Sequence, residues 1–204
     1  MFIVLEGIDG AGKSSQIAAL TSLFQRYGHS VVTCADPGTT AAGMKIRELL
    51  LGQHEIAIAP RTELLLFMAA RSQLVAEVIQ PALDRNQVVI CDRYLLSSVV
   101  YQGYLGQIPP EEIWQMGQLV VGSTVPEITL LLDLPASVAA TRTSRQLDRI
   151  ESRGQDYLEN VRRSFLREAA KHPQAIQVID ATQSVAEVSQ QIEKQMRPWL
   201  VQPS

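Results

Sequence analysis

Residues Gly7-Ile8-Asp9-Gly10-Ala11-Gly12-Lys13-Ser14 fill every fixed position of the pattern G-x-x-x-x-G-K-[ST]. No other stretch limits the fold as strongly, because this pattern works only where a strand runs into a helix. The apolar run Phe2–Leu5 precedes it, and Lys13–Tyr27 follows with helical character before Gly28, a suitable C-terminal cap. Gly7, Gly10 and Gly12 let the backbone turn so that its N–H groups point inward at phosphate oxygens. Lys13 brings a point charge to the β- and γ-phosphates, and the Ser14 hydroxyl is a ligand for Mg²⁺. The positive end of the helix dipole adds to both. The loop therefore predicts binding of a nucleoside triphosphate, with Asp9 supplying an acid at one of its variable positions.

Beyond the loop, short apolar runs alternate with longer helical patterns. Val31–Cys34, Val88–Cys91, Ile128–Leu132 and Ile176–Ile179 join Phe2–Leu5 as candidate strands. Each is apolar at most positions, as strands covered on both faces are. Helix signals mark Pro60–Gln80, which should stop before Pro81, and the segment opened by Pro109-Pro110-Glu111-Glu112. They also mark Gln155–Lys171 and Ser184–Met196, the latter with Pro198 as a stop. This alternation predicts an α/β fold, a five-stranded parallel sheet with helices on both faces. Strand order is not legible.

The 204 residues suit one domain, 1–204, and the net charge of −3 gives no basic excess for nucleic acid. No apolar run reaches the ~18 residues of a membrane span. Cys34 and Cys91 lie in strand-like runs and read as reduced core residues, so cytoplasm is the expected compartment. His29, His54 and His172 show no metal-ligand spacing.

Three further clusters carry chemistry. The run ending in Asp92 puts a carboxylate at the end of a strand, where ligands of such sheets bind, to hold Mg²⁺ or help take a proton from an acceptor, unless it simply caps the next helix. If Arg93 opens a helix, then Arg93, Ser97 and Tyr101 share one face, with Ser98 and Gln102 beside it. Phe67 and Arg71 are four apart and adjacent on a helix, a ring and a guanidinium that suit a flat base. Read alone, Phe67 is a core residue beside Leu64 and Met68, and Arg71 a solvated charge. Between Thr141 and Arg153 stand Arg142, Arg145, Arg149 and Arg153 among acids, with few apolar residues. That segment reads either as a solvated charged helix or as a mobile lid closing its arginines over a transferring phosphoryl group.

Together these segments resemble the thymidylate kinases. Asp36-Pro37-Gly38 is similar to that family's E-P-G loop, and Phe67-Met68-Ala69-Ala70-Arg71 to its base-binding helix. Asp92-Arg93-Tyr94 with Ser97, Ser98 and Tyr101-Gln102-Gly103 resembles its D-R-x motif and nucleoside contacts. Leu147–Glu151 resembles its lid, and Ile179–Gln183, with Thr182, its loop near the adenine. The resemblance implies a three-layer nucleoside-monophosphate kinase fold with a lid at about 141–154, and transfer from ATP–Mg²⁺ to thymidine monophosphate. It implies that Arg93 holds the acceptor phosphate, that Phe67 stacks on thymine and that Arg71 bonds its carbonyl. Ser98 and Gln102 would face base or sugar, Asp9 the 3′-hydroxyl, and the assembly would be a homodimer packed through long helices. No basic residue precedes Lys13 in the loop, so the chain resembles members whose catalytic arginines, here Arg142, Arg145 and Arg149, sit in the lid. Ala35 stands where bacterial relatives usually carry arginine, Asp36 replaces their glutamate, and the lid is slightly short.

Three other readings stay open at this point. One is a P-loop kinase with a different nucleotide or nucleoside acceptor. Another is a catalytically weakened nucleotide-binding module, which Ala35 encourages. The third, a guanine-nucleotide switch, lacks its usual N-K-x-D segment here.

Overall fold

A computed structural model describes residues 1–52, 56–142 and 154–200. Five parallel strands form one sheet: β1 (Phe2–Glu6), β2 (Val31–Ala35), β3 (Val88–Asp92), β4 (Ile128–Asp133) and β5 (Ile176–Asp180). Their order is β2-β3-β1-β4-β5, so the strand leading into the phosphate loop is central. Each predicted strand is present and one residue longer at its carboxyl end. The added residues place acids Glu6, Asp92, Asp133 and Asp180 along the carboxyl ends of the strands.

Alternation along β1 divides the core between the two faces of the sheet. Ile3 and Leu5 join Val88 and Ile90 of β3, with Leu20 and Phe24 from α1 (Lys13–Arg26) and Ile192 from α9 (Val185–Leu200). Phe2 and Val4 join Val89 and Cys91, with Leu64 and Met68 from α3 (Pro60–Leu74) and Ile113 from α6 (Pro110–Val121). Burying one such side chain stabilises the fold by about 1.5–3 kcal/mol. The central strand thus buries both faces, which accounts for its near-continuous apolar sequence. Cys34 and Cys91 are free and buried, as expected.

Several helices differ from the sequence expectation. Pro81 does not end its helix: α3 continues through a wide turn at Val75–Ile79 into α4 (Gln80–Asp84). In that turn the Gln80 N–H already reaches back to Val75 O, so the ladder is displaced where Pro81 lacks a donor. Pro198 likewise lies inside α9, because Leu200 beyond it packs into the core and its carbonyl meets His29 Nε2 at 3.0 Å. A helix absent from the sequence reading, α2 (Ala41–Leu51), is capped by the Thr40 hydroxyl, which accepts from Gly43 N–H at 2.9 Å. Gly43 itself admits no side chain, since a Cβ there would meet Gly38 O at 2.5 Å.

Arg93 does not open a helix. Its φ is 68°, in the left-handed region, and α5 (Leu95–Ser98) begins two residues later before widening again at Val99–Tyr104. The short α7 (Ala136–Arg142) and the long α8 (Gln155–Lys171) flank the predicted lid. Arg162 on α8 grips both oxygens of Asp133, at 2.6 and 3.0 Å.

Candidate active site

The phosphate loop turns where the sequence requires. Gly7 has φ 137°, and a Cβ at this position would stand 2.6 Å from Leu132 O. Gly12 has φ 94° and caps α1. Ile8 and Ala11 are buried beneath the loop, whereas Ser14 is exposed. Lys13 Nζ folds back on its own loop, 3.2 Å from both Gly7 O and Ile8 O and 3.4 Å from Asp9 Oδ1. Burial and the neighbouring Arg93 charge pull its ammonium below the ordinary lysine range. Asp9 Oδ1 also accepts from Arg93 Nη2 at 2.9 Å. Lys13 and Arg93 therefore converge on the Asp9 carboxylate, with Glu6 and Asp92 close enough to act on both cations.

Gly10, Gly12, Lys13 and Ser14 floor a cleft of about 980 Å³ that also reaches Asp92 and Arg142. The Asp92 main chain joins β2 and β3, its carbonyl accepting from Asp36 N–H at 3.1 Å. Its side-chain Oδ1 is buried and, like Oδ1 of Asp36, has no hydrogen-bond partner among the described residues. An orphaned carboxylate oxygen and an exposed hydroxyl, Ser14, on the wall of one phosphate cleft fit Mg²⁺, which takes few protein ligands and shares substrate phosphates. No larger cluster of candidate metal ligands occurs among the described residues.

A second pocket, of about 80 Å³, adjoins the cleft, and the two share Asp9, Asp36, Pro37, Arg47 and Arg93. Phe67 is only 8% exposed and belongs to neither apolar core; it forms part of this pocket's wall. Arg71 is 1% exposed, against the solvated reading of its charge, because Asp36 arrives from 35 residues away to pair with it at 2.5 Å. Arg71 Nη2 donates to Tyr94 O and Ser98 Oγ, at 3.1 and 3.0 Å, and its guanidinium stacks on the Tyr94 ring. Only Met68 Sδ, a weak acceptor, faces Nη1. Burial raises the Asp36 carboxyl above its ordinary range while Arg71 pulls it down.

Arg93 meets Ser97 and Tyr101 as the helical spacing suggested, although its own backbone is not helical. Its Nη1 donates to Ser97 Oγ at 3.3 Å, and its guanidinium lies 5.5 Å over the Tyr101 ring. Burial works against its charge, but the carboxylates of Asp9, Glu6 and Asp92 outweigh that and keep it protonated. Gln102 is buried in the pocket wall and donates to Glu63 Oε1 at 3.0 Å.

Two residues of the site were not singled out from the sequence. Glu6, at the end of β1, accepts from Tyr94 N–H and from the Ser97 N–H and hydroxyl. Its signal was the one that flagged Asp92, an acid closing an apolar strand. Arg47 borders both pockets from α2 and donates to Pro37 O at 2.9 Å; it was missed with its helix.

On the far side, Arg142 donates to Ala181 O and Thr182 O, at 2.9 and 3.2 Å. Thr182 has its N–H and hydroxyl engaged by Asp180, and its neighbours Gln183, Ser184 and Val185 line the cleft instead. Arg145 and Arg149 lie outside the described residues.

Comparison with known proteins gives a consistent result. The thymidylate kinase family model matches residues 5–192. A thymidylate kinase of Rhodopirellula baltica is 42% identical over 190 residues, 93% of this chain and 77% of that one. One from Kosmotoga olearia is also 42% identical, over 96% of this chain and 94% of its own. The crystal structure of thymidylate kinase from Ehrlichia chaffeensis superposes with a TM-score of 0.78 at 31% identity, covering 96% of this chain and 98% of the other.

Proposed function

The chain belongs to the thymidylate kinase family, and on that premise we propose how its own residues divide the work. It transfers the γ-phosphoryl group of ATP to thymidine monophosphate, forming thymidine diphosphate on the way to thymidine triphosphate. The observation that carries the residue assignments is the shared wall: Arg93 and Asp9 border both the phosphate cleft and the pocket of Phe67 and Arg71. An acceptor in the small pocket would present its phosphate where the two spaces meet.

In this reading the loop 7–14 holds the phosphates of ATP. Lys13 leaves the carbonyls of its own loop to meet the β- and γ-phosphates, and Arg93 with Arg47 holds the acceptor phosphate. Phe67 stacks on thymine, and Arg71 Nη1, the least committed of its donors, reaches a base carbonyl. Ser98 and Gln102 line the base and sugar, and Asp9 faces the 3′-hydroxyl while steadying Arg93. Ser14 and Asp92 would hold Mg²⁺, which when bound neutralises phosphate charge. A phosphate monoester is already a competent nucleophile near neutral pH, so the protein supplies positioning and charge rather than a strong base. Arg142, counted with the lid arginines on the resemblance, donates to Ala181 O and Thr182 O and is reassigned to the base end of ATP, and Arg145 and Arg149 in the lid, 141–154, meet the transferring group.

A single domain over 1–204 fits the one five-stranded sheet, and a cytoplasmic setting fits two free, buried cysteines. A homodimer is supported by Leu65 on α3 and Leu119 on neighbouring α6, the latter 89% exposed. ADP release measured with ATP and a panel of acceptors tests the assignment. Thymidine monophosphate should be preferred, and a better acceptor of another class would overturn it.

A further inference from the structure

The division of labour above leaves Glu6 without a task. Glu6 is 0% exposed, and burial raises its carboxyl above the ordinary glutamate range although Arg93, Ser97 and Tyr94 all pull it down. A buried carboxylate is costly, so its three hydrogen bonds need a reason. Oε1 accepts from the N–H groups of Tyr94 and Ser97, at 2.9 and 3.2 Å, and Oε2 accepts from the Ser97 hydroxyl at 2.7 Å. Oε2 also lies 3.8 Å from Arg93 Nη1.

These bonds surround a residue with an unfavourable backbone. Arg93 has φ 68°, a region that side chains beyond glycine seldom occupy without help. Its own N–H donates to Leu5 O at 3.0 Å, and the next N–H, of Tyr94, donates to Glu6. Consecutive residues of β1 therefore clamp the peptide units on both sides of the Arg93 α-carbon. Gly7 then follows Glu6 directly, fixed against Leu132 with no room for a Cβ. One residue thus spans from the donor loop to the acceptor arginine.

We propose that Glu6 is a positioning residue: by holding the Arg93–Ser97 turn in its left-handed form it aims the Arg93 guanidinium at the acceptor phosphate. Without the carboxylate, Arg93 relaxes toward ordinary backbone angles and its guanidinium leaves Asp9. The proposal rests on the reading that Arg93 binds that phosphate, and the test separates the two.

Thymidine monophosphate is titrated calorimetrically into the wild type, Glu6→Gln, Arg93→Ala and the double variant, with ATP titrated in parallel. Glu6→Gln keeps the side-chain size but loses the charge assistance of its bonds, and should weaken thymidine monophosphate binding about tenfold. ATP affinity should stay within about twofold, and in the Arg93→Ala background Glu6→Gln should add almost nothing, because the two act as one unit. Full additivity, unchanged acceptor affinity or an equal loss for ATP would each overturn the role of Glu6. An Arg93→Ala variant that binds thymidine monophosphate normally would instead remove the reading of Arg93. If circular dichroism shows Glu6→Gln unfolded, Ser97→Ala replaces it, with about threefold weaker binding expected and the same lack of additivity.

Discussion

The two halves of the site are prepared to different degrees. In the acceptor half, charged groups already hold one another: Arg71 with Asp36 and Ser98, Arg93 with Asp9 and Ser97, and Gln102 with Glu63. In the donor half, Ser14 is exposed and Asp92, unlike Asp36 with one oxygen paired and one orphaned, has no side-chain partner among the described residues. A preformed pocket loses little ordering entropy when its ligand arrives. On the proposed assignment, the donor half would be completed by a cation and phosphate oxygens that come with the nucleotide, and the acceptor would be selected by a fixed frame.

That contrast can be broken in a definite order. Arg71→Leu should have the largest effect, a stability loss of about 3–5 kcal/mol in chemical denaturation, because it strands the buried Asp36 carboxylate. The Asp36 folded-state pKa is already raised, and losing Arg71 raises it further. A raised carboxyl penalises the folded state above that pKa, and the penalty fades as pH falls through it, so the deficit should narrow as pH falls from neutral toward the ordinary aspartate range. A deficit that is constant with pH would mean that Asp36 is not the stranded group. Next comes Lys13→Ala, with kcat expected to fall roughly 100- to 1,000-fold. A fall below about tenfold, ~1.4 kcal/mol of barrier, would deny the donor loop its assigned part. Asp92→Asn should follow, with the Mg²⁺ concentration for half-maximal rate rising about tenfold or more and thymidine monophosphate affinity unaffected. The smallest expected change is the sharpest test of the comparison. Chelating all divalent ions should stop turnover yet leave acceptor affinity within about twofold, as a frame built from protein groups alone requires. A metal-dependent acceptor affinity would erase the distinction between the halves.

Much of this was legible in the sequence, for identifiable reasons. The phosphate loop and the strands could be read because their signals are local: glycines at fixed spacing and apolar runs of the right length. Arg71 could not be read as buried, since its counter-charge comes from a distant loop. Phe67 carries the composition of a core residue and the position of a pocket wall, and only the fold decides between them. The Arg93 group was found for an incomplete reason. Its members meet, but the turn is held from β1 rather than by continuous helical spacing. Pro81 and Pro198 misled because a displaced ladder and a buried terminal leucine can each outweigh a missing donor. The Thr40 cap would have revealed α2, and with it Arg47.

The folded-back posture of Lys13 bears on how turnover ends. Its ammonium is already satisfied by Gly7 O, Ile8 O and Asp9 before any nucleotide arrives. With Lys13 assigned to the nucleotide, phosphate oxygens would replace existing acceptors instead of meeting a bare cation, and nucleotide affinity would reflect the difference between two bonded states. The same substitution would run in reverse after transfer, the lysine regaining its own loop as ADP departs. An exchange of this kind would give up some grip on the spent nucleotide and lower the barrier to its release, a step that limits many enzymes.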